Sequence, residues 1–109
     1  MDARLYDDVQ NFIDCIKDTR EYREFKEQKR IIEGYPELKE KAENLRERNQ
    51  EFQSRLEEEG DNLELVMKFA DENEEIFMEP VINGYFTAES AFYRIVKEAL
   101  DMTMEALDI

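Results

Sequence analysis

The chain has 109 residues and a formal net charge of −14, with 40% charged and 11% aromatic side chains. It contains no histidine and one cysteine, which removes His-based catalysis, His- or Cys-rich metal sites and any intramolecular disulfide before a motif is sought. Seven Phe and five Tyr supply too much large apolar surface for a disordered chain, so residues 1–109 read as a single folded domain that buries somewhat under ~70% of its unfolded surface.

Three Gly and two Pro leave few places for turns, which favours a few long helices over a many-stranded sheet. Leu5, Val9, Phe12 (or Ile13) and Ile16 recur at steps of three and four, predicting a first helix over roughly Ala3 to Lys17. Cys15, within Phe12-Ile13-Asp14-Cys15-Ile16, is expected to be a small buried side chain rather than a reactive thiol. Asp18-Thr19-Arg20-Glu21 resembles a capping box that starts a second helix. Its inner stripe is expected to be Tyr22, Phe25, Lys29 and Ile32, the Lys stem covering apolar surface while the amine reaches water. Gly34-Tyr35-Pro36 ends that helix, since Gly relieves strain at a helix C-terminus and the residue before Pro is pushed out of the α region.

Pro36 suits the first turn of a third helix, with Glu37 and Glu40 complementing the positive end of its dipole. Leu38, Ala42, Leu45, Asn49, Phe52 and Leu56 alternate steps of four and three, the signature of a packed helical seam. Asn49 in that row either pairs with its equivalent in another chain and fixes register, or sits at the edge of the seam and contacts water. Glu57-Glu58-Glu59-Gly60 is a helix stop, and Asp61-Asn62-Leu63-Glu64 offers a second capping box. A short fourth helix follows, with Leu63, Val66 or Met67, Ala70 and Phe77 expected on its inner face, and Glu79-Pro80 at its end.

From Val81 the series Val81, Tyr85, Ala88, Phe92, Ile95, Ala99, Met102 and Ala106 again alternates four and three, a second long helix with a seam. Asn83-Gly84 would ordinarily mark a tight turn. Two features oppose it: the heptad phase runs unbroken from Val81 to Ala88, and Pro80 is placed as a first helical residue. An interior Gly costs only about 1 kcal/mol relative to Ala, so the helix is predicted to continue through Gly84. The fold class is therefore all-α, a small bundle of about five helices in which the third and the C-terminal are long and their seams oligomerise.

No catalytic set emerges. Asp71, Asn73 and Glu75 alternate like calcium ligands, but Ile76 stands where such a loop needs Gly. A di-iron or di-manganese bundle needs Glu-x-x-His on facing helices, and Ser54 and Ser90 have neither a His base nor an elbow motif. No catalytic residue, metal or cofactor is assigned, and a carboxylate-only enzyme is the least favoured class. A charged-then-apolar leader is absent at Met1 and no apolar run approaches ~18 residues, so the expectation is a cytoplasmic protein without a membrane span.

Charge is uneven. Residues 17–55 hold 11 Lys/Arg and 10 Asp/Glu, a net +1, while the remainder carries −15. Direct nucleic-acid binding needs Lys/Arg to displace counterions from phosphates, and a chain this acidic is a poor candidate. Arg20, Arg23, Lys26, Lys29 and Arg30 could form a basic docking face, although pairing with Glu24, Glu27 and Glu33 on a solvated helix is the expected arrangement.

Several pieces of the chain occur together in an informative order: an opening helix with Leu5 and Ile16, Thr19-Arg20-Glu21-Tyr22 at the second helix, Pro36-Glu37-Leu38 at the third, Phe52-Gln53 within it, and Glu79-Pro80-Val81 followed by Tyr85 and Ala88-Glu89. In these, and over nearly the entire chain, it resembles the YlbF/YmcA family of small helical bacterial regulators. The resemblance implies an all-α, non-enzymatic regulator or adaptor that assembles with itself or with relatives. Some members join a heteromeric complex linked to competence, biofilm formation, sporulation and control of a membrane-bound ribonuclease. Certain of those carry C-terminal cysteines associated with an iron–sulfur cluster; residues Asp101 to Ile109 contain none, so no cluster is carried over.

The expected function is thus protein–protein binding, with homo-oligomers (dimer or tetramer), related helical regulators and a protein client as partners, and an acidic flank selecting among them by charge. The expected contact residues are Leu38, Ala42, Leu45, Asn49, Phe52 and Leu56 on the third helix and Tyr85, Phe92 and Ile95 on the fifth. A structural oligomer without a client is the alternative.

Overall fold

A computed structural model describes residues 1–60 and 62–109. Among these there are five helices and no strand: α1 (Ala3–Lys17), α2 (Arg20–Glu33), α3 (Pro36–Glu59), α4 (Leu63–Met78) and α5 (Pro80–Ala106). The predicted all-α class and helix order hold, and α1 has the predicted bounds.

Local chemistry explains the boundaries. Asp2 caps α1, its carboxylate accepting from the backbone N–H groups of Arg4 and Leu5, which satisfies two of the four free donors at a helix start. Thr19 caps α2: its Oγ1 accepts from the Tyr22 N–H and donates to the Ile16 carbonyl at 2.6 Å, so one hydroxyl closes α1 and opens α2. Pro36 is in the first turn of α3 as predicted. Asn62 caps α4, its side chain accepting from the Leu65 N–H; the other capping candidate, Asp61, lies outside the described residues. Glu79 serves both neighbouring helices, its backbone N–H donating to the Ile76 carbonyl and its Oε2 accepting from the Ile82 N–H at 2.9 Å.

The two helix-ending glycines behave differently. Gly60 has φ 77° and ψ 179°, a backbone region essentially confined to glycine. Gly34 does not adopt a positive φ; what a side chain would meet there is the Ile31 carbonyl oxygen, 3.2 Å from an added Cβ. α5 runs through Asn83-Gly84 without a turn. The Asn83 N–H donates to the Glu79 carbonyl and its side-chain amide to the Phe77 carbonyl at 3.1 Å, so the residue that could have turned the chain instead ties the start of α5 to the end of α4.

The chain divides into two compact units, 1–29 with 85–109, and 30–84. In the first, an aromatic cluster forms the centre. Phe25 stacks on Phe92 (centroids 5.2 Å apart, planes 8°) and meets Tyr85 and Tyr93, while Tyr22 tilts against Phe92 at 5.5 Å. Such pairs contribute ~0.5–1.5 kcal/mol each beyond area burial. Ala88 is buried in this unit, and α1 contributes only half-buried Ile13 and Ile16. In the second unit, α3 and α4 form a helical hairpin whose unit core is Ile32, Ala42, Leu45, Ile82 and Asn73.

Five side-chain placements depart from expectation. Cys15 is exposed, because it lies about 100° around α1 from Ile16 and so off the covered stripe. Lys29 is exposed, and Gln28 takes the half-buried position between Phe25 and Ile32. α4 turns inward Leu65, Phe69, Asn73 and Ile76, leaving Leu63, Val66, Met67, Ala70 and Phe77 outside. The α5 stripe is covered only as far as Ala99; Met102 (75% exposed) and Ala106 are exposed. Ile82, fully buried, was outside the predicted α5 stripe.

Candidate functional site

The predicted contact residues fall into two groups. On α3, Ala42 and Leu45 are buried in the chain's own core, Leu45 to 1% exposure, while Leu38, Phe52 and Leu56 are half-buried and Asn49 is exposed. On α5, Tyr85, Phe92 and Ile95 are half-buried. Tyr85 and Phe92 both stack on Phe25, so part of that stripe serves internal packing.

Larger apolar surface lies elsewhere. α4 exposes Leu63 (74%), Val66, Met67 (58%), Phe77 and Met78 (72%). α1 exposes Leu5, Tyr6, Val9 and Phe12, the end of α5 exposes Leu100, Met102 and Met104, and Leu107 and Ile109 are exposed just after it. Periodicity in the sequence located the α1 stripe; it misassigned the α4 stripe to the interior, and the bare end of α5 followed from no local signal.

A cleft of about 190 Å³ lies between α3 and α4, lined by Arg48, Glu51, Phe52, Arg55, Leu65, Lys68, Phe69, Glu72 and Asn73. It is smaller than the ~300–1,000 Å³ that ordinarily holds a small-molecule ligand. Two of its three cations pair along their own helices, Lys68 with Glu72 at 3.9 Å and Arg55 with Glu59 at 3.8 Å, and Arg48 Nε donates to the Asn44 carbonyl at 3.4 Å. Asn73, 2% exposed, donates from Nδ2 to the Phe69 carbonyl at 2.8 Å, while its buried Oδ1 meets no hydrogen-bond partner among the described residues.

Charge elsewhere is arranged as solvated helix faces. Arg20 pairs with Glu24 at 3.6 Å, as the paired reading of the basic stretch expects, while Arg23 Nη1 donates to the Asp18 backbone carbonyl. Lys97 Nζ donates to Asp101 Oδ2 at 2.6 Å, and this hydrogen bond, with the carboxylate's charge, raises the ammonium's pKa above its ordinary value. Among the described residues no cluster of His, Cys, Asp and Glu could hold a metal ion. Within the same residues, no helix is long and apolar enough to cross a membrane.

Comparison with curated proteins and with solved structures returned no match. A family model described as "Control of competence regulator ComK, YlbF/YmcA" matches residues 5–108, a span that takes in α2 to α5, all but the first two residues of α1, and the capped breaks at Thr19 and at Glu79-Pro80. The five-helix chain accordingly belongs to the YlbF/YmcA family, a regulatory family named for control of a competence regulator.

Proposed function

We propose that this chain is a non-enzymatic adaptor of the cytoplasm, which assembles with itself or with related helical regulators and binds a protein client in the control of development or RNA processing. The observation that carries the reading is the row of large apolar side chains left in water on α4, Leu63, Val66, Met67, Phe77 and Met78. Each forgoes much of the ~1.5–3 kcal/mol that full burial would supply, and contiguous patches of this kind mark contact surfaces.

Self-assembly is assigned to the seams. On α3 the half-buried Leu38, Phe52 and Leu56 and the exposed Asn49 are assigned to this contact, with Asn49 pairing with its symmetry mate across a two-fold axis. On α5, Tyr85, Phe92 and Ile95 keep partial exposure and offer a second surface for a dimer or tetramer. The regulatory family supports binding over catalysis.

The test is affinity capture of the tagged chain from its native cells at moderate salt, with and without nuclease, followed by mass spectrometry. Nuclease-insensitive recovery of related helical chains or of an RNA-processing factor is the expected result. Recovery of the chain alone contradicts the adaptor role and leaves a structural oligomer.

A further inference from the structure

We infer that the outer face of α4 is the docking surface for a basic amphipathic helix of a client protein, an inference that rests on the adaptor reading and specifies its partner. Leu63, Val66, Met67, Ala70, Phe77 and Met78 are all exposed and follow the i, i+3, i+4, i+7 pattern of one helix face. The face is distinct from the inward one built on Leu65, Phe69, Asn73 and Ile76. An apolar stripe at this spacing is the counterpart of a helix laid against it. Met67 and Met78 add flexible, polarizable side chains that adapt to a partner.

Charge decides the occupant. α4 carries five carboxylates against one cation, Lys68, which sits 3.9 Å from Glu72. By helical periodicity Glu64, Asp71 and Glu75 follow one edge of the stripe and Glu74 lies within it; all four are exposed. A second copy is a poor fit. Pairing α4 with α4 would bring carboxylates together. The other exposed apolar stretches lie on helices that are also net acidic: α1 carries Asp7, Asp8 and Asp14 against Arg4 and Lys17, and α5 carries Glu89, Glu98, Asp101 and Glu105 against Arg94 and Lys97. Of the five helices only α2 carries more Lys and Arg than Asp and Glu, and it offers no large exposed apolar side chain. The occupant that satisfies both components is therefore a helix with an apolar face bordered by Lys and Arg, since like charges across an interface are excluded and opposite ones steer association.

The experiment is fluorescence anisotropy of the full chain with three labelled peptides of about 18 residues, five helical turns. One is an amphipathic helix with a Leu face and a Lys/Arg polar face, one has Glu in place of the basic residues, and one is a scramble of the basic peptide without an apolar face. The basic amphipathic peptide should bind at least about tenfold more tightly than either control, and Met67→Glu, on an exposed position, should weaken it by about tenfold or more with the circular dichroism spectrum unchanged. Reversing Glu74 and Glu75 to Lys should invert the preference between the basic and acidic amphipathic peptides. Equal binding of the basic peptide and its scramble, no binding of the basic peptide, or indifference to Met67→Glu overturns the inference. A concentration-dependent dimer dissolved by Met67→Glu would overturn it in favour of a second copy. If captured clients are retained in full by the Met67→Glu chain, this inference fails while the adaptor reading stands; if wild type captures no client, the adaptor reading fails first.

Discussion

Phe52 on α3 and Phe69 on α4 stack with ring centroids 4.3 Å apart and planes 11° from parallel. This pair joins the two arms of the hairpin beside the cleft, and Phe69 also meets the edge of Phe77 at 6.5 Å. Because both rings are half-buried, Phe69→Ala should cost about 2–3 kcal/mol, somewhat below the range for a fully buried Phe. A double-mutant cycle with Phe52→Ala, read by urea denaturation, should return a coupling of about 1 kcal/mol. Strict additivity would show that the stack does not hold the hairpin together.

Asn73 carries a different energetic signature. A buried acceptor without a donor costs roughly 1–3 kcal/mol, and Oδ1 of Asn73 is in that position. Asn73→Leu, which keeps the branched four-atom side chain but removes the polar atoms beside the cleft, should raise stability by about 1 kcal/mol. Asn73→Asp should lower it by more than that, since a carboxylate would be buried unpaired. Thermal melts of both variants check the pair; a destabilised Asn73→Leu chain would mean that Oδ1 has a donor in solution.

Gly60 should resist every side chain. Its φ of 77° with ψ of 179° lies outside the left-handed helical well that Asn tolerates, so Gly60→Ala and Gly60→Asn should each cost about 1–3 kcal/mol. Nothing within 4 Å would clash with an added Cβ, so the cost is purely one of backbone conformation. A harmless Gly60→Asn would place the residue in an ordinary left-handed cap instead.

Cys15 should react with a thiol reagent in the native protein without denaturant, because it is exposed on α1. Labelling followed by intact mass should show complete single modification under native conditions. Protection that disappears on denaturation would show that α1 is covered in solution.

Most helix boundaries were legible because they rest on single residues with strong local effects: Thr19 as a cap, Pro36 at a first turn, Gly60 as a stop, Pro80 as a restart. The continuous heptad phase outweighed Asn83-Gly84, and α5 runs through both. Which face turns inward was less legible. α4 has two apolar rows, Leu65, Phe69 and Ile76 on one side and Leu63, Val66, Met67, Ala70 and Phe77 on the other; periodicity cannot rank them, and the longer row proved to be the exposed one. Apolar spacing also continues past Ala99 on α5 without a partner to cover it, so Met102 and Ala106 keep the pattern and lose the burial. Periodicity reports an apolar face, not what covers it. A helix face built to meet another protein has the same spacing as one built to meet its own core.

Site-specific photo-crosslinking in the native cells distinguishes those two uses of a helix face. A benzophenone side chain is placed at Met67 on α4 and, as a control, at exposed Glu43 on α3. Discrete adducts heavier than the 13.1 kDa chain, formed from Met67, containing a protein with a basic amphipathic helix and absent from Glu43, are the expected result. Adducts from Met67 no different from those at Glu43 would contradict the assignment of α4's outer face as a binding surface.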